Sequence, residues 1–343
     1  MSELVEKLRN YSGRKIRIME VCGTHTHEIF RLGIRSLLSE KIELISGPGC
    51  PVCVTPPGYI DSAVELALKH RAVIATFGDL IRVPGSELSL AAARSHGAVL
   101  KTVYSPLDAV ELAAENPDQE VVFLAVGFET TTPGACIAVK QARKRNLSNF
   151  SILCANKTMP EAYKALKGSA DAFLYPGHVH AIIGTKLCED MTAYGVSGVV
   201  AGFTAEDLIR ALSMIIDGIS SGQAFFANAY ERVVSAAGNP AAQKLLAEMM
   251  EPCDCVWRGL GEIPGSGLKL KSEFTQFDAV TKFGLQPDDG RVNPGCRCGE
   301  VLRGICKPAD CPLFGKVCTP QNPVGACMVS GEGACSAFYQ YAR

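Results

Sequence analysis

A chain of 343 residues, 47% of them hydrophobic and only 20% charged, is long enough for two or three cored domains and too apolar to stay disordered. Its 34 Lys+Arg against 35 Asp+Glu leave a net charge of -1, which removes any bulk attraction to nucleic acid or an anionic membrane. No apolar run approaches the roughly 18–20 residues of a membrane span, and residues 1–7 lack the apolar core of a secretory signal, so a compact cytoplasmic protein is expected, with no nucleic acid and no membrane as partner.

In chain order, eight short Val- and Ile-rich runs read as strands: 16–21, 42–45, 73–77, 99–103, 121–126, 151–154, 172–174 and 198–201. Most are too continuously apolar for a half-wet antiparallel sheet and suit parallel strands covered on both faces. Helical patterns at 63–70, 88–95, 109–115 and 135–145 lie between them, and two more follow at 205–219 and 241–250. Alternating strands and helices predict an α/β fold of open, mostly parallel sheets with right-handed crossovers. The expected division is a first α/β lobe over 1–116, a second over 117–240 and a Cys-rich lobe over 241–343. Residues 261–267 and 286–290, rich in Gly and Pro, read as turns.

The 15 cysteines are an odd number, so full disulfide pairing is impossible; metal or thiol chemistry is the better expectation for such a chain. Cys136 and Cys188 read as small buried hydrophobes, and Cys253 with Cys255 form an isolated C-x-C. Seven cysteines crowd residues 296–335. From Glu251 onward the chain has too few aliphatic residues for a core of its own, the circumstance in which small domains use disulfides or metal.

The uncommon motifs follow the predicted strands: Cys22-Gly-Thr-His-Thr-His27, Gly47-Pro-Gly-Cys-Pro-Val-Cys53, Gly78-Asp79, Gly127-Phe-Glu-Thr-Thr-Thr132, Asn156-Lys157-Thr158, Pro176-Gly-His-Val-His180 and Gly202-Phe203. The carboxyl ends of parallel strands form the crevice where ligands bind, so these loops describe a lined cleft. Cys50 and Cys53 have the C-x-x-C spacing of a reversible dithiol. Cys22, His25 and His27 offer soft sulfur and imidazole ligands; His178, Glu129 and Asp79 are further candidates for hydrogen bonding or proton transfer. No phosphate loop, no Gly-x-Gly-x-x-Gly and no C-x3-C-x2-C is present. In the tail no pair of C-x2-C zinc knuckles occurs, and four thiolates wrapping a [4Fe–4S] cluster suit the wide spacing better. Spacing alone does not choose among Cys296, Cys298, Cys306, Cys311, Cys318, Cys327 and Cys335.

These motifs, together with Gly295-Cys-Arg-Cys-Gly299, Cys318-Thr-Pro and Cys327-Met-Val-Ser, resemble the HypD family of hydrogenase maturation factors over about residues 16–341. The resemblance implies two α/β lobes and a third lobe whose [4Fe–4S] cluster is held by Cys298, Cys311, Cys318 and Cys335. It implies HypC and then HypE as partners, and the large subunit of a [NiFe] hydrogenase as the eventual recipient of an Fe(CN)2CO group. On that reading Cys22 holds the iron, His25 orients or protonates the site, Cys50 and Cys53 cycle between dithiol and disulfide, and Glu129, Thr130 and His178 line the cleft. Cys306 and Cys327 would be a relay pair beside the cluster. The role is that of an assembly factor with thiol-redox and electron-transfer functions rather than a conventional turnover enzyme. Two other classes predict different behaviour: a stand-alone [4Fe–4S]-dependent disulfide oxidoreductase, and a structural zinc platform.

Overall fold

A computed structural model describes residues 1–342. All eight expected strands form: β1 (Ile16–Glu20), β2 (Ile42–Ser46), β3 (Val73–Thr76), β4 (Leu100–Thr102), β5 (Val121–Gly127), β6 (Phe150–Asn156), β7 (Ala172–Pro176) and β8 (Gly198–Ala201). Three further strands had no such apolar signature: β9 (Phe226–Asn228), β10 (Met250–Trp257) and β11 (Gly261–Leu270). Two parallel sheets result, one ordered β2-β1-β7-β8-β9 and one ordered β4-β3-β5-β6. β5 and β7 are wholly buried, as strands covered on both faces must be.

Strand pairing groups the chain differently from the linear division at 116. The first sheet joins residues 16–46 to 172–228, and the second encloses 73–156 between them. Residue 116 therefore falls between β4 and β5, strands of one sheet. A hydrophobic run marks a strand but carries no label for its neighbour, so chain order cannot show that β1 pairs with β7. The segment 261–267, expected as turns, is most of β11, which pairs antiparallel with β10. Its glycines at 261 and 265 take positive φ, +82° and +66°, so a run that looks like punctuation accommodates an irregular hairpin.

The last hundred residues share the cores of the two sheets. Met249, Met250, Leu270, Phe274 and Phe277 pack with β5 and the helix Thr132–Lys144. Cys298, Leu302, Cys318, Cys327, Met328 and Cys335 pack with Met19, Val21, Cys50, Cys53, Phe128, Tyr163 and Trp257. The Cys-rich segment thus closes over the carboxyl ends of both sheets. Among the described residues, no helix is long and apolar enough to cross a membrane.

Candidate functional site

Cys22 follows β1 as the N-cap of the helix Gly23–Arg31, and Cys50 follows the neighbouring strand β2 as the N-cap of the short helix Pro51–Val54. The two loops are pressed together. Gly23 N–H donates to Gly49 O at 2.9 Å, and a Cβ on Gly49 would lie 2.1 Å from the Cys22 nitrogen. A Cβ on Gly23 would meet Cys50 Cβ at 3.2 Å. Only glycines permit this approach. From below, the buried Glu20 carboxylate accepts the Thr26 hydroxyl at 2.7 Å. From above, Thr24 donates to Glu332 at 2.6 Å. Glu20 and Glu332 were not singled out by motif reading, because a lone acid outside a motif carries no spacing signal.

Burial pushes the Cys22 thiol up to about 12, with the nearby amides of His25 and Thr24 offsetting part of that and Glu332 adding to it. Cys22 is therefore a protonated thiol at neutral pH, and a soft metal that binds it must displace the proton. Cys53 is also raised well above its ordinary value by burial, with Cys327 and Cys50 as its sulfur neighbours. Its amide donates to Cys50 Sγ at 3.4 Å, and Cys53 Sγ lies 4.0 Å from Ala326 O. The C-x-x-C pair therefore lies between the Cys22 loop and the Cys-rich segment.

The two histidines of the first motif diverge. Residues two apart on a helix point about 200° apart, and the structure follows that rule. His25 is buried, with Nε2 3.0 Å from Gly202 O and its ring 4.9 Å from Phe203. His27 instead lies 3.1 Å from Gly331 O through Nδ1 and packs edge-on against Tyr341. It ties this helix to the C-terminal one, and His25 alone faces the cleft. Because a carbonyl can only accept, Nε2 of His25 carries the proton, and its buried Nδ1 is a lone-pair acceptor without a hydrogen-bond partner. His178 stacks on the same Phe203 ring, at 5.3 Å. His180 is used internally: Nδ1 meets Gly184 O at 2.9 Å and Nε2 lies 3.5 Å from Cys188 Sγ.

Glu129 is buried after β5. One carboxylate oxygen accepts the Met159 amide at 2.8 Å and the other has no partner. Burial raises its carboxyl to about 7 despite that amide and its own, which makes it a proton store at neutral pH. Thr130 is exposed, and Asp79 is exposed on a 3-10 turn after β3.

Six cysteines, 296, 298, 311, 318, 327 and 335, line one small cavity whose walls include Leu313 and Phe314. The four expected ligands are all there. Cys306 is not: it lines a separate groove beside β2 with Ile305 and Lys307, so it does not pair with Cys327. Cys327 instead has Cys298, Cys335 and Cys53 as sulfur neighbours, and Cys298 Sγ lies 2.7 Å from Cys327 Sγ. Cys318 Sγ accepts the Val324 amide at 3.4 Å. Gly325 is held bare by the cage, since a Cβ there would lie 2.7 Å from Cys296 Sγ. Among the described residues no three His, Cys, Asp or Glu side chains close on a point as ligands of one ion would.

Acid should weaken this fold. Burial lowers His25, His178 and His180 from 6.5 to about 4, with mutual repulsion between His178 and the other two adding to the shift at His25 and His180. Their stability contribution is full above 6.5 and is lost as pH falls toward 4, because the unfolded chain takes up protons the fold refuses. Glu129 acts in the opposite sense: it contributes below 4.5 and that contribution is lost as pH rises through about 7. With three groups against one, stability near pH 5 should fall by roughly 2 kcal/mol per pH unit of acidification. Anaerobic urea midpoints measured between pH 7 and 5 check this, and a flat or rising profile would contradict it.

The family model HypD, described as the Hydrogenase formation hypA family, matches residues 1–342. A protein named Hydrogenase maturation factor HypD from Escherichia coli K12 is 45% identical over 99% of this chain and 94% of its own length. Proteins of the same name from Cupriavidus necator and Rhodobacter capsulatus are each 44% identical, over 96% and 99% of this chain and 91% and 93% of theirs. Chain length, motifs and architecture all agree with that kinship, and the chain belongs to the HypD family of hydrogenase maturation factors.

Proposed function

We propose that this chain is a [NiFe] hydrogenase maturation factor that works as the scaffold and thiol-redox component on which the Fe(CN)2CO group is assembled, in the reducing cytoplasm. The observation that carries the reading is the contact between the Cys22 and Cys50 loops, with Cys53 running on to Cys327 and the cysteine cage. Cys22 binds the cargo iron, losing its proton as it does so. A soft thiolate suits iron carrying cyanide and carbonyl ligands. His25 Nδ1, a buried acceptor, and Glu129, buried with one free oxygen, are the groups able to receive and return protons there. His178 completes the wall on the Phe203 side. The small partner HypC supplies the second thiolate at the open side, and HypE follows it.

The cage fits a [4Fe–4S] cluster. Its donor set is sulfur only, six cysteines line one cavity, and one sulfur already accepts a backbone amide, the arrangement that supports a cluster thiolate. When bound, the cluster supplies low-potential reducing power. The set implied by resemblance was Cys298, Cys311, Cys318 and Cys335. Two sulfurs in van der Waals contact stand about 3.6 Å or more apart, and Cys298 is far inside that distance from Cys327. We assign these two as a dithiol pair and give the fourth cluster position to Cys296, on the same cavity wall. Cys298 and Cys327 can then exchange with Cys50 and Cys53: a Cys327 thiolate attacks Cys53 of the disulfide, Cys50 leaves as thiolate, and Cys298 resolves the mixed bond.

The test is complementation. In a host whose own family member is deleted, this chain expressed with its cognate HypC should restore [NiFe] hydrogenase activity. If no activity returns while folded chain and partner accumulate, the reading fails. Turnover of a protein disulfide without HypC, in place of restoration, would point to the stand-alone oxidoreductase.

A further inference from the structure

A second group of thiols lies outside this site, on the hairpin. Cys253 and Cys255 are half-buried on β10, and the pairing register with β11 shifts between them. In a regular strand, residues i and i+2 share a face with Cα atoms about 6.6 Å apart, near the upper limit of what a disulfide spans. The register shift breaks that regularity at this point. Gly267 opposite shows how near the two come: a Cβ there would lie 2.7 Å from Cys255 Cβ and 2.9 Å from Cys253 Sγ.

Beside them is a buried lysine. Lys157 follows β6, is 1% exposed, and donates its ammonium to Cys255 Sγ at 2.9 Å. The ammonium also lies 5.8 Å from the Trp257 ring. An ammonium in contact with a sulfur stabilises the negative charge that develops there when the sulfur reacts. Cys154, close by, is different: its thiol donates to Leu268 O at 3.1 Å and burial raises it to about 12, so it stays protonated.

We infer that Cys253 and Cys255 form a second redox dithiol, in which Lys157 activates Cys255 as the attacking thiolate and Cys253 resolves, and which takes a disulfide as substrate. The Cys255 thiolate attacks R–S–S–R, forming a mixed disulfide and releasing one thiolate. Cys253 then attacks Cys255 sulfur, closing the Cys253–Cys255 bond; its proton leaves with the second thiol. Two electrons pass from the pair to the substrate, giving one R–S⁻ and one R–SH. The inference goes beyond the maturation reading and needs neither Cys22 nor the cage. It has a structural consequence, because the Lys157 amide donates to Gly127 O at 2.9 Å and the next-but-one amide holds Glu129. Oxidation removes the ammonium's sulfur partner within a segment that shapes the cleft.

The experiment treats the full-length, anaerobically purified protein with oxidised glutathione and follows tryptic peptide 245–258, which holds both cysteines. The wild-type peptide should lose two hydrogens and retain no glutathione. Cys253→Ser should trap glutathione on Cys255, Cys255→Ser should react about tenfold more slowly, and Lys157→Met should slow the wild-type reaction about tenfold while Lys157→Arg restores much of it. A peptide that remains fully reduced, equal adduct rates in the two cysteine variants, or an unchanged rate in Lys157→Met would overturn the proposal. Should Lys157→Met fail to fold, the comparison of the two cysteine variants decides alone.

Discussion

Cys22→Ser is expected to abolish hydrogenase maturation while leaving the fold in place. The substitution removes one sulfur atom from a buried position and keeps the shape of the side chain, so stability should change by about 1–2 kcal/mol at most. The hydroxyl is a hard, weakly acidic donor in a site that already disfavours charge, and it does not replace a thiolate on low-spin iron. Protein purified anaerobically with HypC should show cyanide and carbonyl stretches in the infrared, and Cys22→Ser should show none. Activity in the complemented host should fall to background. Infrared bands at wild-type intensity in Cys22→Ser would remove Cys22 from the iron site.

The second large effect concerns the cage. Cys311→Ala, Cys318→Ala, Cys335→Ala and Cys296→Ala should each abolish the brown charge-transfer absorbance of the anaerobic protein, because each removes one of four thiolates. Cys298→Ala should keep the colour if, as proposed, its sulfur, 2.7 Å from Cys327 Sγ, serves the dithiol and not the cluster. The contrast between Cys296 and Cys298 is what matters. Colour lost in Cys298→Ala and kept in Cys296→Ala would restore the set that the family resemblance implied, and would leave Cys327 without its partner.

Much of this molecule was legible in the sequence, and the illegible parts share a cause. Eight of the nine strands in the two parallel sheets show, most of them because parallel strands buried on both faces must be continuously apolar, as β5 is. The loops carrying Cys22, Cys50, Glu129 and His178 could be placed at strand ends for the same reason. Which strands pair is set by long-range packing, so the insertion of residues 73–156 between the two halves of the first sheet left no local trace. β10 and β11 were invisible because half-exposed, Gly- and Pro-rich strands are defined by each other and by contacts such as Thr158 N–H to Ser266 O. The divergence of His25 and His27 follows from helical phase, and the motif would have revealed it had it been read as a helix start rather than a loop. The approach of Cys298 to Cys327 spans 29 positions, and with seven cysteines to choose from, no spacing rule finds it.

The account rests on contact between the cleft dithiol and the cysteine lobe. The most direct measurement is a trapped cross-link. In full-length protein carrying Cys50→Ser and Cys298→Ser, neither the resolving nor the returning thiol remains, so mild oxidation should join Cys53 to Cys327 and peptide mass spectrometry should find that disulfide as the main product. If Cys53 and Cys327 instead remain unlinked while each is alkylated freely in the folded protein, the two thiol systems do not communicate and the account is contradicted.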